Sequence, residues 1–177
     1  MSKCLQLQDV FKSYTYDQDK VRSPEETVAH VRQRFAGVDL DILDKTMRID
    51  SGRLDIPVYI SLCGTDAVPL TSTKKQMGKG STVIQAEASA LMELAERFSF
   101  FSYIKNTPFP MATYSELDGS TLPIEMLWQS LNDNETDLEL GTAALRDLPF
   151  RWTKGCNLTR DSEVLIPIDW FYTIHEY

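Results

Sequence analysis

The sequence is poor in the residues that commonly bind transition metals. It has two histidines, His30 and His175, and three cysteines, Cys4, Cys63 and Cys156, with no Cys-x-x-Cys pair. This composition excludes a zinc site built on paired cysteines, and it excludes a histidine-rich metal centre. Each cysteine is expected to be a reduced thiol, with Cys63 buried in an apolar run. A catalytic Cys–His pair would need a partner that the sequence does not identify.

Basic blocks and long apolar runs are also missing. The net charge is −8, so nucleic acid and anionic membranes are poor partners. No run approaches the roughly 18 apolar residues of a membrane span, and the first residues, MSKCLQLQDV, lack the apolar core of a signal peptide. The length of 177 residues fits one globular domain. We therefore expect a single cytoplasmic domain.

One long segment, from Gly78 to Tyr103, dominates what is present. Two glycines around a lysine open it, and Ser81 or Thr82 can cap a helix. The residues from there to about Phe101 contain no Gly or Pro, which predicts a helix of about five turns.

This predicted helix has a narrow polar stripe. At about 100° per residue the stripe is roughly 80° wide, and it holds Thr82, Gln85, Ser89, Glu93 and Glu96, with Arg97 at its edge. The opposite side is apolar and includes Leu91 and Leu94, which are expected to be buried. Glu87 lies outside the stripe, and the pattern does not account for it.

Two interpretations of Ser89, Glu93, Glu96 and Arg97 remain open on spacing alone. The stripe can be a solvated edge with Glu93 and Arg97 as an i,i+4 ion pair. It can also be a site for a divalent metal and a phosphate, because two carboxylates one turn apart can hold Mg²⁺ and an arginine can bind the phosphate. In the second interpretation Glu93 and Glu96 line a cleft.

The order of these residues resembles a known motif. Gly78-Lys79-Gly80 followed by Ser89-x-x-x-Glu93-x-x-Glu96-Arg97 is similar to the first nucleotide-binding motif of the YcaO family, whose members use ATP to activate a peptide amide. A P-loop is a poorer match, because position 73, where that pattern needs glycine, is threonine. A glycine loop before a helix still favours anion binding, with Lys79 beside a phosphate.

A second segment, Lys20 to Thr27, also resembles this family. Ser23-Pro24-Glu25-Glu26 predicts a capped helix that runs to about Phe35 and ends at Gly37, after an extended arm over about residues 1–22. In the family, a basic residue of such an arm and a hydroxyl one turn into the helix approach the nucleotide. Lys20 and Thr27 occupy the matching positions.

The remaining elements are predicted from local patterns. Strands are expected over 41–50 and 56–63, a polar loop over 66–80, short helices over 114–117 and 123–127, and an exposed acidic loop over 131–141. Residues 150–158 and 164–167 are expected to pair as a hairpin. Its Trp-x-x-Gly-x-Asn-Leu and Ile-Pro-x-x-Trp residues are the third resemblance to the family, and the hairpin is structural in that comparison.

The resemblance implies an α/β (α+β) fold with the family's own ATP-binding architecture. It covers roughly residues 20–170, and later carboxylate motifs of the family are missing, so the chain is expected to be the N-terminal part of such a domain and to bind ATP·Mg²⁺ weakly or not at all alone. Glu93 and Glu96 would bind Mg²⁺. Lys20, Lys79 and Arg97 would face phosphate charge, and Thr27 and Ser89 would add hydrogen bonds. No catalytic residue is assigned.

The implied activity is ATP- and Mg²⁺-dependent O-phosphorylation of a peptide backbone amide. An internal Cys, Ser or Thr nucleophile then gives an azoline, and sulfide gives a thioamide; a related modification of a ribosomal protein is a further form. The partners would be a peptide or protein substrate and, as an open alternative, a protein that delivers substrate or sulfur. A homodimer is also left open. Two other interpretations stand beside the enzyme: a non-catalytic scaffold with this fold, and a soluble α/β domain with a solvated helix edge.

Overall fold

The computed structural model describes residues 4–6, 8–9, 11, 20–52, 54–117, 120–131 and 138–170. They form two compact units: residues 9–107 make one, and residues 1–8 with 108–177 make the other. The expected disposition of residues 1–22 falls mostly outside the described part of the chain. The described residues before Pro24 form no helix or strand.

The larger unit begins with helix α1, Pro24–Ala36. Its start is the predicted capping box: the Ser23 hydroxyl accepts from the N–H of Glu26 at 3.1 Å, and the Glu26 carboxylate accepts from the N–H of Ser23 at 2.9 Å. Pro24 occupies the first turn, where its missing N–H costs nothing. Gly37 caps the other end. Both ends of α1 are therefore confirmed.

A three-stranded antiparallel sheet follows, formed by β1 (Leu43–Arg48), β2 (Val58–Cys63) and β3 (Lys75–Lys79) in that order. A short helix α2, Val68–Thr71, lies between β2 and β3. The first two strands were predicted. The polar loop expected over 66–80 is wrong, because it contains α2 and β3.

Strand β3 was not predicted, because apolar and polar residues do not alternate in its sequence. Gln76 and Gly78 are its buried residues, whereas Lys75, Met77 and Lys79 are exposed. The Gln76 amide donates to Thr73 Oγ1 at 2.5 Å, so its polar end is satisfied inside. A strand that buries glutamine and glycine lacks the alternation of apolar and polar residues by which a strand is recognised in a sequence.

Helix α3, Val83–Asn106, packs across one face of this sheet and against α1. Thr82 is its N-cap, and its hydroxyl accepts from the N–H of Gln85 at 3.3 Å. Leu91 and Leu94 are fully buried, as predicted. The buried Ser61 hydroxyl of β2 donates to the Ala90 carbonyl at 2.8 Å and ties the sheet to the helix.

The unexplained Glu87 joins three elements of this unit. Its Oε1 accepts from Arg32 of α1 at 2.6 Å and from the Thr46 hydroxyl of β1 at 2.7 Å. Burial acts to raise the pKa of Glu87, but the hydrogen bonds from Arg32 and Thr46 outweigh it, and the pKa lies below its usual value. Glu87 therefore links α3 to α1 through an ion pair and to β1 through a hydrogen bond.

The second unit contains β4 (Met111–Thr113), a 3-10 turn (Tyr114–Glu116), α4 (Ile124–Leu131), α5 (Leu138–Arg146), β5 (Pro149–Asn157), β6 (Ser162–Pro167) and a final 3-10 turn (Ile168–Trp170). Strands β4, β5 and β6 form an antiparallel sheet in that order. The buried Trp152 donates its indole N–H to the Ala112 carbonyl at 2.9 Å. The predicted short helices and hairpin are confirmed.

Two expectations for this unit are wrong. The acidic loop expected over 131–141 ends early, because α5 begins at Leu138; residues 132–137 lie outside the described part. Cys4 and Cys156 are joined by a disulfide instead of being two free thiols, whereas Cys63 stays a free, half-buried thiol. Among the described residues no helix combines the length and apolar character needed to cross a bilayer.

Candidate functional site

A cleft of about 750 Å³ opens in the larger unit beside α1 and α3. One wall comes from the segment 20–31 and the other from 79–92. Its volume lies in the range of small-molecule sites, roughly 300–1,000 Å³. The lining residues are Lys20, Val21, Arg22, Pro24, Thr27, His30, Val31, Lys79, Gly80, Gln85, Ala88 and Met92. Three residues predicted for the nucleotide, Lys20, Thr27 and Lys79, are therefore brought together.

The charge of the cleft is opposite to that of the chain. Its described lining residues include Lys20, Arg22 and Lys79 and no Asp or Glu, although the whole sequence carries −8. The remaining lining is largely apolar. A concave apolar surface with a few convergent cations suits an anionic ligand that also carries a flat organic group.

The capping box of α1 positions Thr27 on the cleft. The Thr27 hydroxyl donates to the Ser23 carbonyl at 2.9 Å, and the Thr27 N–H donates to the same oxygen at 3.0 Å. With its proton engaged, the hydroxyl oxygen is free to accept a hydrogen bond from a ligand. His30 lies one turn further along the helix and also lines the cleft.

The start of α3 forms the opposite wall. A Cβ on Gly80 would come within 3 Å of the Gln85 side chain and the Ala86 N–H, so only glycine lets the chain turn so closely into the helix. Gln85 Oε1 accepts from the N–H of Ser81 at 3.0 Å and also from its hydroxyl. Gln85 therefore lines the cleft and holds the turn that presents Lys79.

The other predicted residues continue from this wall along α3. At 100° per residue, Ser89 and Glu96 lie within about 40° of Gln85 around the helix axis. None of Ser89, Glu93, Glu96 and Arg97 lines the cleft itself. The two glutamates therefore lie outside this cleft, and the expectation that they line a cleft stays a prediction.

Glu93 and Arg97 form the i,i+4 ion pair that one interpretation predicted. Arg97 Nε donates to Glu93 Oε1 at 2.9 Å, and both side chains are partly exposed, at 34% for Glu93 and 41% for Arg97. Ser89 and Glu96 are exposed. The second oxygen of Glu93 takes no part in the pair, so the pair does not use up the carboxylate.

These residues fit a magnesium ion carried by a nucleotide better than a metal held by protein alone. Within the described part of the chain, no group of three or more His, Cys, Asp or Glu side chains could hold a metal. Mg²⁺ commonly needs only one or two carboxylates when phosphate oxygens and water complete its shell. Glu93 and Glu96 can supply these two, at one and four positions after Met92 of the cleft along α3.

Sequence reasoning missed Arg22 and His30 as cleft residues. Arg22 lies two positions after Lys20, and His30 lies three positions after Thr27 on the same helix. Helical spacing from Thr27 was the available signal for His30. Arg22 stands in a segment without regular structure, where no periodicity could place it.

Three comparisons place these observations among known proteins. The family model described as YcaO cyclodehydratase, ATP- and Mg²⁺-binding, matches residues 77–177. The match covers α3 with its glutamates and the hairpin. The comparison with curated proteins gave no match.

Two solved structures share the fold. One is YcaO from Methanopyrus kandleri bound with AMPPCP and Mg²⁺, with a TM-score of 0.55 and 20% identity, covering 92% of this chain and 36% of that one. The other is a heterocyclase in complex with substrate and cofactor, with a TM-score of 0.64 and 22% identity, covering 98% of this chain and 25% of that one. The chain thus spans about a third and a quarter of their lengths. The expected mixed fold is confirmed.

Proposed function

Because this chain belongs to the YcaO family, we propose that it supplies part of an ATP- and Mg²⁺-dependent site that activates a peptide backbone amide. The family's cofactors are ATP and Mg²⁺, as expected from the sequence. The proposal extends these family properties to a particular cleft and to particular residues of this chain.

The proposed reaction converts the amide oxygen into a leaving group. A nucleophile, either a Cys, Ser or Thr side chain of the substrate or an external sulfide, attacks the amide carbonyl and loses its proton. The resulting oxyanion takes the γ-phosphoryl group of ATP, which releases ADP. Phosphate then departs with the former amide oxygen. Loss of the amide N–H proton gives the C=N bond of an azoline, whereas with sulfide the N–H stays and a C=S bond gives the thioamide. The protein's contribution to such a transfer is mainly positioning and charge neutralisation.

The observation that carries the proposal is the convergence of Lys20, Thr27 and Lys79 on one cationic cleft. Lys20 and Thr27 are separated from Lys79 along the sequence by β1, β2 and the rest of β3. Lys20, Arg22 and Lys79 would neutralise phosphate charge, and the Thr27 oxygen would accept from a ligand hydroxyl. The apolar residues Val31, Ala88 and Met92 would contact the nucleobase.

Glu93 and Glu96 would hold Mg²⁺, which would neutralise negative charge on the phosphate oxygens of the nucleotide. Arg97 would hold Glu93 in place through the 2.9 Å ion pair and face phosphate charge with its remaining donors. Ser89, exposed on the same side of α3, would add a hydrogen bond.

The experiment is a titration of the chain, labelled with ¹³C at its methionine methyl groups, with Mg²⁺ and AMPPCP. We expect weak binding, because the chain spans only part of the length of the matched structures, so millimolar nucleotide is the suitable range. Met92 lines the cleft, and its methyl signal should shift. The signals of Met47 and Met77, which do not line it, should stay in place.

Variants make the test specific. Lys20→Ala and Lys79→Ala should each weaken binding by about tenfold or more, as for a hydrogen bond to a charged group. Lys75→Ala is the matched control: it lies on the same strand as Lys79 but outside the cleft. A silent Met92 signal, or equal losses in Lys75→Ala and Lys79→Ala, would refute the site.

A non-catalytic scaffold is the second candidate, favoured by the Glu93–Arg97 pair and the exposure of Glu96. These features need no ligand to explain them. For a scaffold, the addition of nucleotide should leave all methionine signals unchanged, and the fold and its stability should also stay the same.

A further inference from the structure

The sheet of the larger unit has a second face, which α3 does not cover. Ser61 points to α3, since its hydroxyl donates to the Ala90 carbonyl at 2.8 Å. Side chains alternate along a strand, so Val58, Ile60 and Leu62 point to the opposite side. Their neighbours on β1 and β3 in the strand register share that side.

The register assigns eight residues to this surface, here called the outer face. Ile60 pairs with Met47 and Met77, and Leu62 pairs with Lys45 and Lys75. Val58 pairs with Lys79 and accepts at its carbonyl from the Ile49 N–H at 2.9 Å. Lys79, the last residue of β3, lines the cleft and is not counted. The outer face is therefore Lys45, Met47, Ile49, Val58, Ile60, Leu62, Lys75 and Met77.

The centre of the outer face is apolar and open. Ile60 is buried, with 7% of its surface exposed, but it is flanked by Met47 at 42% and Met77 at 55%. Ile49 is 39% exposed. Exposed apolar side chains gathered in one patch commonly mark a binding surface.

The charges around this centre have one sign. The outer face has two lysines, Lys45 and Lys75, and no carboxylate in a chain of net charge −8. None of the ion pairs between described residues includes these lysines. The one carboxylate within the three strands, Asp44, lies at the β-bulge between Leu43 and Lys45 and outside the eight residues. Asp50 and Asp55 are paired with Arg48.

We propose that the outer face binds an acidic amphipathic helix of a partner protein. Lys45 and Lys75 lie on the two outer strands, about 10 Å apart at the usual strand spacing. An α-helix with its side chains is about 10–12 Å wide. A helix laid along β2 would place an apolar stripe on Met47, Ile60 and Met77, and carboxylates on its two flanks would reach the two lysines.

A second copy of the same face is a poor occupant. Two outer faces brought together would oppose lysines to lysines, and like charges across an interface disfavour association. The surface is small, so the complex is expected to be transient and sensitive to salt. The proposal does not depend on nucleotide binding in the cleft.

The test uses the full chain with ¹³C-labelled methionine methyl groups and a synthetic helical peptide that has leucines along one stripe and glutamates on both flanks. The Met47 and Met77 signals should shift on titration. Met92, Met111 and Met126 are also exposed, at 47%, 67% and 54%, and serve as internal controls for non-specific contact. A peptide with lysine in place of every glutamate should leave all five signals unchanged.

Charge reversal supplies the second readout. Lys45→Glu and Lys75→Glu should each weaken peptide binding by about three- to tenfold, since an attractive surface pair becomes a repulsive one. Lys105→Glu is the matched control, because Lys105 is exposed and lies on α3, which packs on the other face of the sheet. The Lys105→Glu variant should bind the peptide with the affinity of the wild type.

Several results would overturn the proposal. They are the absence of any shift with the acidic peptide, shifts of equal size at all five methionines, and an equal loss in Lys105→Glu. Stronger shifts of Met47 and Met77 with phosphatidylserine-containing vesicles than with the peptide would assign the face to a membrane surface instead.

Discussion

Gly78 of β3 lies directly on the backbone of Ala90 in α3, so closely that a Cβ at position 78 would overlap the Ala90 N–H and the Ala86 carbonyl. The strand and the helix therefore touch through their main chains. This contact brings the end of β3, with Lys79 and Gly80, to the start of α3 and to the cleft. The glycines of the Gly-Lys-Gly segment thus have a packing role that is independent of any ligand.

Gly78→Ala should destabilise the protein by about 1–3 kcal/mol, because a buried site without room must shift its backbone. Urea denaturation followed by circular dichroism measures the loss. Gly52→Ala is the control: beyond its chain neighbours, the nearest atom to an added Cβ would be the Leu54 nitrogen, at 4.0 Å, so its stability should stay near that of the wild type. Equal stability of the two variants would contradict the close contact.

Leu91→Ala should cost about 2–5 kcal/mol in unfolding free energy, as for other fully buried leucines. Leu91 has no exposed surface, whereas its neighbour Met92 is 47% exposed. Met92→Ala should therefore cost far less in the same denaturation experiment. A loss for Met92→Ala as large as that for Leu91→Ala would show that the helix packs on a different side.

Glu87 should make stability depend on pH. Its pKa is lowered in the folded protein from an ordinary value of 4.5. The stability that the ionised carboxylate adds is therefore fully present above pH 4.5 and is lost as the pH falls through the lowered pKa. Glu87→Gln should therefore reduce the unfolding free energy at neutral pH, and the difference from the wild type should shrink in acid. Denaturation curves at several pH values measure it.

The ion pair with Arg32 provides the check on Glu87. In an Arg32→Ala background, Glu87→Gln should have a smaller effect at neutral pH, because the principal partner is already missing. An equal effect of Glu87→Gln in the wild-type and Arg32→Ala backgrounds would show that Glu87 stabilises the protein through a group other than Arg32.

Under the proposed function, Glu93→Gln and Glu96→Gln should each abolish ATP hydrolysis and leave the melting temperature nearly unchanged. Each substitution removes a metal-binding charge and keeps nearly the same shape. A solvated ion pair alone predicts a loss of only about 0.3–0.5 kcal/mol in stability with unchanged activity. Glu125→Gln, which breaks the exposed Glu125–Arg146 pair, is the matched control. Wild-type hydrolysis in both α3 variants would favour the scaffold.

The sequence was most informative where one residue type has one local role. Ser23 and Pro24 predicted the start of α1, and Thr82 was one of two predicted caps of α3. The strand β3 was not predictable, because Gln76 and Gly78 are buried for reasons that lie in other elements: a hydrogen bond to Thr73 and contact with the α3 backbone. Tertiary context overrode the local pattern.

The cleft was predictable only through the resemblance. Nothing local connects Lys20 with Lys79, since their meeting depends on how α1 packs beside α3. The same holds for Glu87, whose partners Arg32 and Thr46 are 55 and 41 residues away in the sequence. Long-range ion pairs leave no periodic signal.

The separation of the two cleft walls also has a consequence for how the protein folds. The segments 20–31 and 79–92 meet only after the chain between them, which contains β1, β2 and all of β3 except Lys79, has folded. Closing so long a loop costs conformational entropy. The strand pairings of the sheet join residues that are closer in sequence, so they should form first. The cleft should therefore be the last part of its unit to assemble during refolding, and pulse-labelled hydrogen exchange should protect the amides of β2 before those of α1.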